Sequence, residues 1–259
     1  MTNDLRLSVS KAKTFLQCKK QFEFNYILKL PKKQRDYHTF GKFCHGVLEL
    51  FHKQYIDGCL LPYNITMTDA FKTNWEEYKE NMTPEMKKEC WDIINQYLKI
   101  ITNDKKNGKQ FNVLSVEKRF ELPLTENIML NGAIDLIKLD DDNILHVADY
   151  KTSKNKKYLK DDWFQLMTYG LVLLKDQPDL KKIRASYIML RHNFEYITKE
   201  FSVKELLATE KKILNYAEQI NSEKEFAPNP SVLCGWCDFL GSCEEGQKQT
   251  NTFNGEVNW

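Results

Sequence analysis

The chain has no long hydrophobic run and no sign of an export signal. No apolar stretch approaches the roughly 20 residues that a membrane-spanning helix needs, and the first ten residues contain no continuous apolar segment. We therefore expect a protein of the reducing cytoplasm. Disulfides are rare in that compartment, so the seven cysteines are first interpreted as metal or cluster ligands.

The chain also has little excess charge of either sign. Its 38 basic and 36 acidic residues leave a formal net charge of +2 over 259 residues. This balance neither requires nor excludes a nucleic acid partner, so a binding surface has to be found locally. Hydrophobic residues make up 42% of the chain, which is ordinary for a globular protein with a substantial core.

Hydrophobic periodicity predicts an order of elements that is typical of a mixed α/β fold. The first hundred residues show helical spacing, and the period changes to two after the Asn107-Gly108 break. We predict strands over 111–122, 128–139, 144–150, 183–190 and 194–201, and helices over 162–175 and 203–223. The predicted domain covers 1–246, with a helical part (1–106), a core (107–223) and a cysteine-rich segment (224–246), followed by a polar tail (247–259).

The strand predicted over 144–150 carries an acid and a base at its end. Asp149 and Lys151 lie two residues apart, so both side chains point to one face. A hairpin closed over residues 140–143 places Asp135 opposite Ala148 or Asp149, about 5 Å away. Two carboxylates at that spacing suit Mg²⁺ or Mn²⁺. An isolated Asp-x-Lys is more often a structural ion pair, and the second acid favours the metal interpretation.

Further residues are candidates for the same site as Asp135, Asp149 and Lys151. Gln165 and Tyr169 lie four apart on the next predicted helix and can face the site together. His45 borders the apolar stripe of an earlier helix and is a candidate metal ligand, although a lone helical histidine is more often structural. Glu49 is given no role, whereas Glu117 on the first predicted strand has two open alternatives, a side chain that points towards the same site and a surface position. A basic run follows the strand and can meet a phosphate backbone or remain a solvated loop: Lys154, Lys156, Lys157 and Lys160.

Three cysteines near the C-terminus form the strongest local signal. Cys234, Cys237 and Cys243 have C-x₂-C-x₅-C spacing, which leaves one position of a four-thiolate site to fill. Cys18 is the best candidate for the fourth ligand. Zinc and an iron–sulfur cluster both fit four thiolates, and spacing alone does not decide between them. The third alternative is that these cysteines hold no metal.

Taken in order, these motifs resemble the RecB-type PD-(D/E)xK nucleases with an iron–sulfur clasp. Relatives of this type are the AddB nuclease domain, the CRISPR-associated exonucleases of the fourth Cas class and small phage-encoded exonucleases. The resemblance covers roughly residues 7–243. It rests on Leu7-Ser-Val-Ser-Lys, Phe15-Leu-Gln-Cys18, Gly41 to His45, Gly132-Ala-Ile-Asp135, Asp149-Tyr-Lys151-Thr, Gln165 to Tyr169 and the cysteine triplet.

The resemblance implies a restriction-endonuclease-like α/β fold, a central mixed sheet flanked by helices with a helical N-terminal part. It implies a catalytic metal on His45, Asp135, Asp149 and the Tyr150 carbonyl, with Lys151 as the catalytic lysine. Gln165 and Tyr169 match accessory catalytic positions. The four cysteines, Cys18, Cys234, Cys237 and Cys243, would hold a [4Fe–4S] cluster. The implied activity is hydrolysis of DNA at ends or in single strands, in a bacterial, archaeal or phage-infected cell.

Two other functions fit the same sequence. One is a non-catalytic DNA-binding or assembly subunit. The other is a subunit that processes DNA ends within a recombination or CRISPR-adaptation complex. No nucleotide-binding P-loop is recognised, so unwinding of DNA would need a helicase partner, and an integrase partner is a further expectation.

Overall fold

The structure is a computed structural model that describes residues 5–33, 35–109, 112–156 and 162–256, with side chains described to residue 251. Phe111, Lys157 and Lys160, which entered the sequence predictions, lie outside the described residues. Within the described part, no helix has both the length and the apolar character to cross a bilayer.

The chain forms two compact units. The first comprises Met1–Gln34, Glu121–Asn131 and Lys211–Trp259, and the second comprises Arg35–Phe120 and Gly132–Glu210. The prediction of one domain over residues 1–246 stays a prediction.

The first unit begins with a short strand that the sequence did not predict. β1 (Leu5–Leu7) pairs in parallel with the start of β3. The helix α1 (Val9–Gln17) follows, and the hydroxyl of Ser8 accepts the Lys11 N–H at its start. The helical path is broken at Cys18, whose backbone is extended, and continues as α2 (Lys19–Phe22) and a π-helical turn (Glu23–Ile27).

Three long helices build the core of the second unit. They are α3 (Asp36–Ile56), α4 (Tyr63–Tyr78) and α5 (Pro84–Lys106). The hydroxyl of Thr83 accepts the Met86 N–H and Pro84 occupies the first turn, so the start of α5 is capped. Burial of their apolar faces stabilises this layer, whose fully buried side chains include Phe40, Phe43, Val47, Phe51 and Ile94.

The strands form a mixed sheet with the hydrogen-bonding order β1-β3-β4-β5-β6, and β2 pairs with β3. Their bounds are β2 (Val113–Thr125), β3 (Ile128–Leu139), β4 (Leu145–Lys151), β5 (Lys182–Met189) and β6 (Glu195–Ser202). The helix α6 (Phe164–Asp176) connects β4 to its parallel neighbour β5 and contacts both strands. The predicted class, a central mixed sheet with flanking helices, is confirmed.

The β3–β4 register fixes which residues meet at the strand end. These strands are antiparallel with Leu136 opposite Ala148. Continued by one residue, this register would set Asp135 opposite Asp149, one of the two alternatives that the sequence offered.

The C-terminal part of the first unit contains more helix than the sequence indicated. After α7 (Val203–Ser222), two short 3₁₀ turns (Val232–Trp236 and Leu240–Ser242) carry the cysteines. The helix α8 (Glu244–Glu256) then occupies most of the stretch expected to be an irregular polar tail. Gln247 Nε2 donates to the carbonyls of Leu240 and Gly241, and these bonds tie α8 to the preceding turn.

Candidate active centre

The two aspartates come together where the C-terminal end of β4 runs beside the middle of β3. The Asp135 carboxylate accepts the backbone N–H of Tyr150 at 3.0 Å, which turns it towards β4. Asp149 is 2% exposed and therefore needs compensation for its buried charge. Its Oδ2 atom lies 2.6 Å from Lys151 Nζ as an ion pair, without an aligned hydrogen bond. A buried carboxylate oxygen with an incomplete set of partners is available to a cation.

His45 reaches the same point from α3. Its Nε2 atom lies 2.9 Å from the carbonyl oxygen of Tyr150, and its Nδ1 atom lies 3.4 Å from Asp135 Oδ2. Burial lowers the pKa of His45, while Asp149 acts in the opposite direction and Lys151 lowers it further. The imidazole is therefore held in its neutral form, which is the form that ligates metals.

Gln165 on α6 forms hydrogen bonds with both Asp149 and Lys151. Its Nε2 atom donates to Asp149 Oδ1 at 2.7 Å, and its Oε1 atom accepts from Lys151 Nζ at 3.1 Å. The Tyr169 hydroxyl, one helical turn further, lies 2.8 Å from Gln165 Nε2. Gln165 thus fixes both charged groups, whereas Tyr169 contacts them through Gln165.

Glu117, for which the sequence left the site and the surface as alternatives, lies at this centre. Its backbone has a φ of 44° within β2, a left-handed conformation that is uncommon for a residue other than glycine. One oxygen of Glu117, one nitrogen of His45 and one oxygen of Asp135 all lie within 4.8 Å of one another. Strained backbone of this kind is concentrated at functional sites. The sequence shows that Glu117 is an acidic residue within a predicted strand. It does not show the positive φ that directs the side chain towards the centre.

The acids of this centre repel one another in the absence of a cation. Burial raises the pKa of Asp135 well above its usual range, and the neighbouring Asp149 charge raises it further. Burial also raises the pKa of Glu117, helped by Glu49. Carboxyl groups with raised pKa values around one point are a feature of functional sites.

The donor set fits a divalent cation. Carboxylate and carbonyl oxygens are the ligands that Mg²⁺ and Mn²⁺ prefer, and an imidazole nitrogen shifts the preference towards transition metals such as Mn²⁺. The residues His45, Asp135 and Asp149, the Tyr150 carbonyl and Glu117 supply these groups. A cation among them would neutralise the like charges that raise the pKa of Asp135.

The parallel β4–β5 register adds an aromatic residue to the centre. Tyr187 is the partner of Asp149 in that register, and its ring centroid lies 5.3 Å from Lys151 Nζ. Its hydroxyl donates to the Asp162 carbonyl at 2.6 Å. The ring forms a buried floor beneath the lysine. Sequence reasoning missed Tyr187 because its position depends on pairing across 38 residues of chain.

The basic run after β4 is only partly available for a phosphate backbone. Lys154 is exposed, whereas Lys156 forms an ion pair with Glu195 at 2.6 Å. Lys157 and Lys160 lie outside the described residues.

The glycines near these motifs permit close packing within the protein. A Cβ atom on Gly132 would lie 2.8 Å from the Phe120 ring, and one on Gly41 would lie 3.3 Å from Thr152 Oγ1. A Cβ atom on Gly46 would overlap Asn74. At Gly41 and Gly46 the close approach is therefore made to neighbouring side chains.

In the first unit, the four predicted cysteine ligands line one cavity: Cys18, Cys234, Cys237 and Cys243. Burial raises the pKa of the Cys237 thiol, and the other three thiols lie close enough to contribute. Backbone N–H groups point at two of the sulfurs, from Asn229 to Cys18 at 3.4 Å and from Ser231 to Cys234 at 3.3 Å. Four thiols around one cavity are a donor set that suits either a tetrahedral metal ion or an iron–sulfur cluster.

Three other cysteines lie elsewhere. Cys44 and Cys90 are fully buried in the second unit with their sulfurs 3.0 Å apart, and Cys59 is half-buried.

Comparison with known proteins gives a consistent assignment. The sequence pattern of the PD-(D/E)XK nuclease superfamily matches residues 6–244. The chain is 27% identical over 239 residues to a subunit of the ATP-dependent helicase/deoxyribonuclease of Streptococcus agalactiae, covering 87% of this chain and 22% of that protein. The corresponding Streptococcus pyogenes protein is 26% identical over 188 residues, covering 67% and 17%. The chain thus spans about a fifth of the length of the curated relatives it matches.

A solved structure has a related fold. It is that of a candidate exonuclease from Eubacterium rectale, which matches with a TM-score of 0.54 and 14% identity, over 90% of this chain and 86% of the other. The family match extends over both aspartates, the lysine and the cysteines, and the fold agrees with it. The chain belongs to the PD-(D/E)XK nuclease superfamily, and its relatives confirm the resemblance to the RecB type.

Proposed function

We propose that this chain is a divalent-metal-dependent deoxyribonuclease that acts as an exonuclease on DNA ends or single strands. The observation that carries the proposal is the proximity of His45, Asp135 and Lys151, all partly buried, to one another and to the buried Asp149. The names of the streptococcal relatives, which are deoxyribonuclease subunits, support DNA as the substrate.

The proposed roles follow from the contacts. His45, Asp135, Asp149 and the Tyr150 carbonyl would hold Mg²⁺ or Mn²⁺, with Glu117 as a further ligand. A bound cation of this kind lowers the pKa of a coordinated water and neutralises phosphate charge. Lys151 is held by Asp149 and Gln165, so its ammonium is oriented to donate to the attacking water or to a phosphate oxygen that gains charge.

The substrate mode is tested with DNA labelled at either end. Single-stranded and double-stranded substrates are incubated with the protein in Mn²⁺, in Mg²⁺ and without divalent cation. An exonuclease releases labelled mononucleotides or short products from one end before internal fragments accumulate, and only when a metal is present. Internal fragments at the earliest times would instead assign an endonuclease. DNA binding without turnover in either metal would assign the non-catalytic alternative.

For the cysteine pocket we propose a [4Fe–4S] cluster on Cys18, Cys234, Cys237 and Cys243. Its support is the resemblance to iron–sulfur nucleases together with four thiols around one cavity. Cluster binding would stabilise the fold, since it joins residues more than 200 positions apart in sequence. Anaerobic purification tests the proposal: a brown protein with about four iron atoms is expected, whereas a colourless zinc protein would contradict it.

We also propose that a helicase subunit works with this chain. The streptococcal relatives are named as helicase/deoxyribonuclease subunits, and the chain spans only about a fifth of their length. Affinity capture of the tagged chain from its native cell tests this. Co-purification of a helicase supports the proposal, and co-purification of an integrase instead would assign DNA-end processing in a recombination or CRISPR-adaptation complex.

A further inference from the structure

The second unit contains a cleft that the proposed chemistry does not use. It lies along α4 and α5 and encloses about 450 Å³, a volume typical of ligand pockets. Among the described residues that line it, none belongs to the active centre. Three aromatic side chains form its walls: Phe71, Trp75 and Trp91.

The aromatic walls are held rigid by edge-to-face packing. The rings of Phe71 and Trp91 meet with their centroids 4.9 Å apart at 75°. Trp75 packs against the buried Phe43 at 6.1 Å and 75°. Trp75 and Trp91 are only half-buried, so part of each indole surface remains open to the cleft. Fixed, partly exposed aromatic rings offer stacking surface at a low cost in conformational entropy.

Lysines surround these rings. Lys72 and Lys88 are exposed at the cleft, and Lys87 Nζ lies 4.0 Å from the centroid of the Trp75 ring. One acid, Glu76, also lines the cleft, and it forms an ion pair with Lys79 at 2.6 Å. The cleft therefore presents a net positive charge around an aromatic floor.

We propose that this cleft binds a single-stranded segment of the DNA substrate, with one or more bases stacked on the tryptophans and the phosphates near the lysines. The inference rests on the proposed function, because it extends the binding surface of the same substrate. Basic grooves with stacking aromatics are the chemistry by which proteins hold single strands without reading their sequence. The charge complementarity to phosphates favours this occupant over an apolar peptide, which would leave the lysines without partners.

The position of the cleft in the helical layer connects it to the active centre. The helix α4 packs against α3, which carries His45. Gly46, the residue after His45, is where α3 approaches Asn74, next to Trp75. A strand bound at the cleft would be held on the helices that position a metal ligand, and duplex DNA, whose bases are stacked and paired, would not gain the same contact.

The test measures binding of fluorescein-labelled oligothymidylate of about 30 nucleotides, longer than one single-strand-binding fold covers. Anisotropy is recorded without divalent cation, so cleavage does not interfere. Trp75→Ala is expected to raise the Kd about fivefold or more, from the usual contribution of one stacked base. Trp75→Phe keeps a stacking ring and should restore most of the affinity. Lys88→Glu should weaken binding more than Lys99→Glu, the same charge reversal on an exposed lysine of α5 that does not line the cleft.

A second readout separates the cleft from the chemistry. Metal-dependent hydrolysis of bis(p-nitrophenyl) phosphate, which is too small to reach the cleft, should be unchanged in Lys88→Glu. Equal loss of that hydrolysis and of DNA affinity would overturn the proposal, because the variant would then act through the active centre.

The remaining outcomes are also decisive. If folded Trp75→Ala and Lys88→Glu bind the oligonucleotide with wild-type affinity, the proposed DNA-binding role of the cleft is wrong. The proposed nuclease activity is not affected by that result. If Trp75→Ala does not fold, the two lysine variants decide alone. If the wild-type protein is a dimer, and Lys88→Glu is a monomer that binds DNA as the wild type does, then the cleft binds a second copy of the chain and the DNA proposal is wrong. No DNA binding by the wild-type protein would instead contradict the proposed function itself.

Discussion

The imidazole Nε2 of His45 lies 2.9 Å from the carbonyl oxygen of Tyr150, a residue 105 positions further along the chain. This contact brings α3 to the end of β4, where Asp149 and Lys151 flank the same peptide. The helical layer and the sheet therefore contribute residues to one centre within the second unit. The role of each residue can be tested separately.

Removal of the imidazole should weaken metal binding. His45→Ala eliminates a neutral nitrogen ligand, and we expect Mn²⁺ affinity to fall about tenfold or more. Isothermal titration calorimetry of the DNA-free protein measures this. His38→Ala, an exposed histidine of the same helix, is the matched control and should bind like the wild type. Equal affinities for both variants would remove His45 from the metal site.

Metal binding should release a proton from Asp135. Burial and the Asp149 charge raise the pKa of Asp135, so the metal-free protein retains its proton at pH values where an ordinary aspartate is ionised. A cation displaces that proton, and Mn²⁺ affinity therefore increases as pH rises until the raised pKa is passed. Calorimetry in two buffers with different ionisation enthalpies counts the protons. Affinity that is independent of pH between about 5 and 8, a range above the ordinary aspartate pKa of about 4, would contradict this account.

Gln165 should act by positioning Lys151 and Asp149. We expect Gln165→Ala to lower kcat by about a hundredfold with little change in KM, because the lysine loses its acceptor and the acid its donor. The kcat of Gln165→Glu should be no higher than that of Gln165→Ala. The glutamate keeps the acceptor for Lys151 but places a negative charge beside Asp149 Oδ1. Tyr169→Phe should have a smaller effect. Gln219→Ala, on an exposed face of α7, is the control. A fully active Gln165→Glu variant would contradict the positioning role.

Much of the site could be predicted because the positions of its residues depend on segments that are close together in the sequence. A strand over 128–139 and a hairpin over 140–143 follow from alternation and a polar turn, and they bring Asp135 opposite either Ala148 or Asp149. The i, i+4 spacing of Gln165 and Tyr169 likewise fixes their common face. The extended backbone at Cys18 and the positive φ of Glu117 were not predictable, because tertiary contacts decide them. Tyr187 depends on a parallel pairing that no local pattern specifies, and the three-residue β1 is too short to show a period.

The glycine at the start of the Gly132-Ala-Ile-Asp135 segment should be needed for packing. Gly132→Ala places a methyl group 2.8 Å from Phe120 Cζ, and we expect the free energy of unfolding to fall by about 1–3 kcal/mol. Chemical denaturation measures this. Combination with Phe120→Leu should recover part of the loss, since the smaller side chain makes room. Gly241→Ala, where a Cβ atom meets nothing within 4 Å, should change stability little. Equal effects of both alanine substitutions would contradict the close-approach explanation.

The central claim is that Asp149 and Lys151 perform metal-dependent phosphodiester hydrolysis. The direct measurement is cleavage of end-labelled single-stranded DNA in Mn²⁺ by the wild-type protein, Asp149→Asn and Lys151→Ala, each shown to be folded by circular dichroism, with Asp92→Asn as a surface control. The account predicts that both active-centre variants lose at least about a hundredfold in rate while the control does not. Wild-type cleavage rates in folded Asp149→Asn and Lys151→Ala would contradict it.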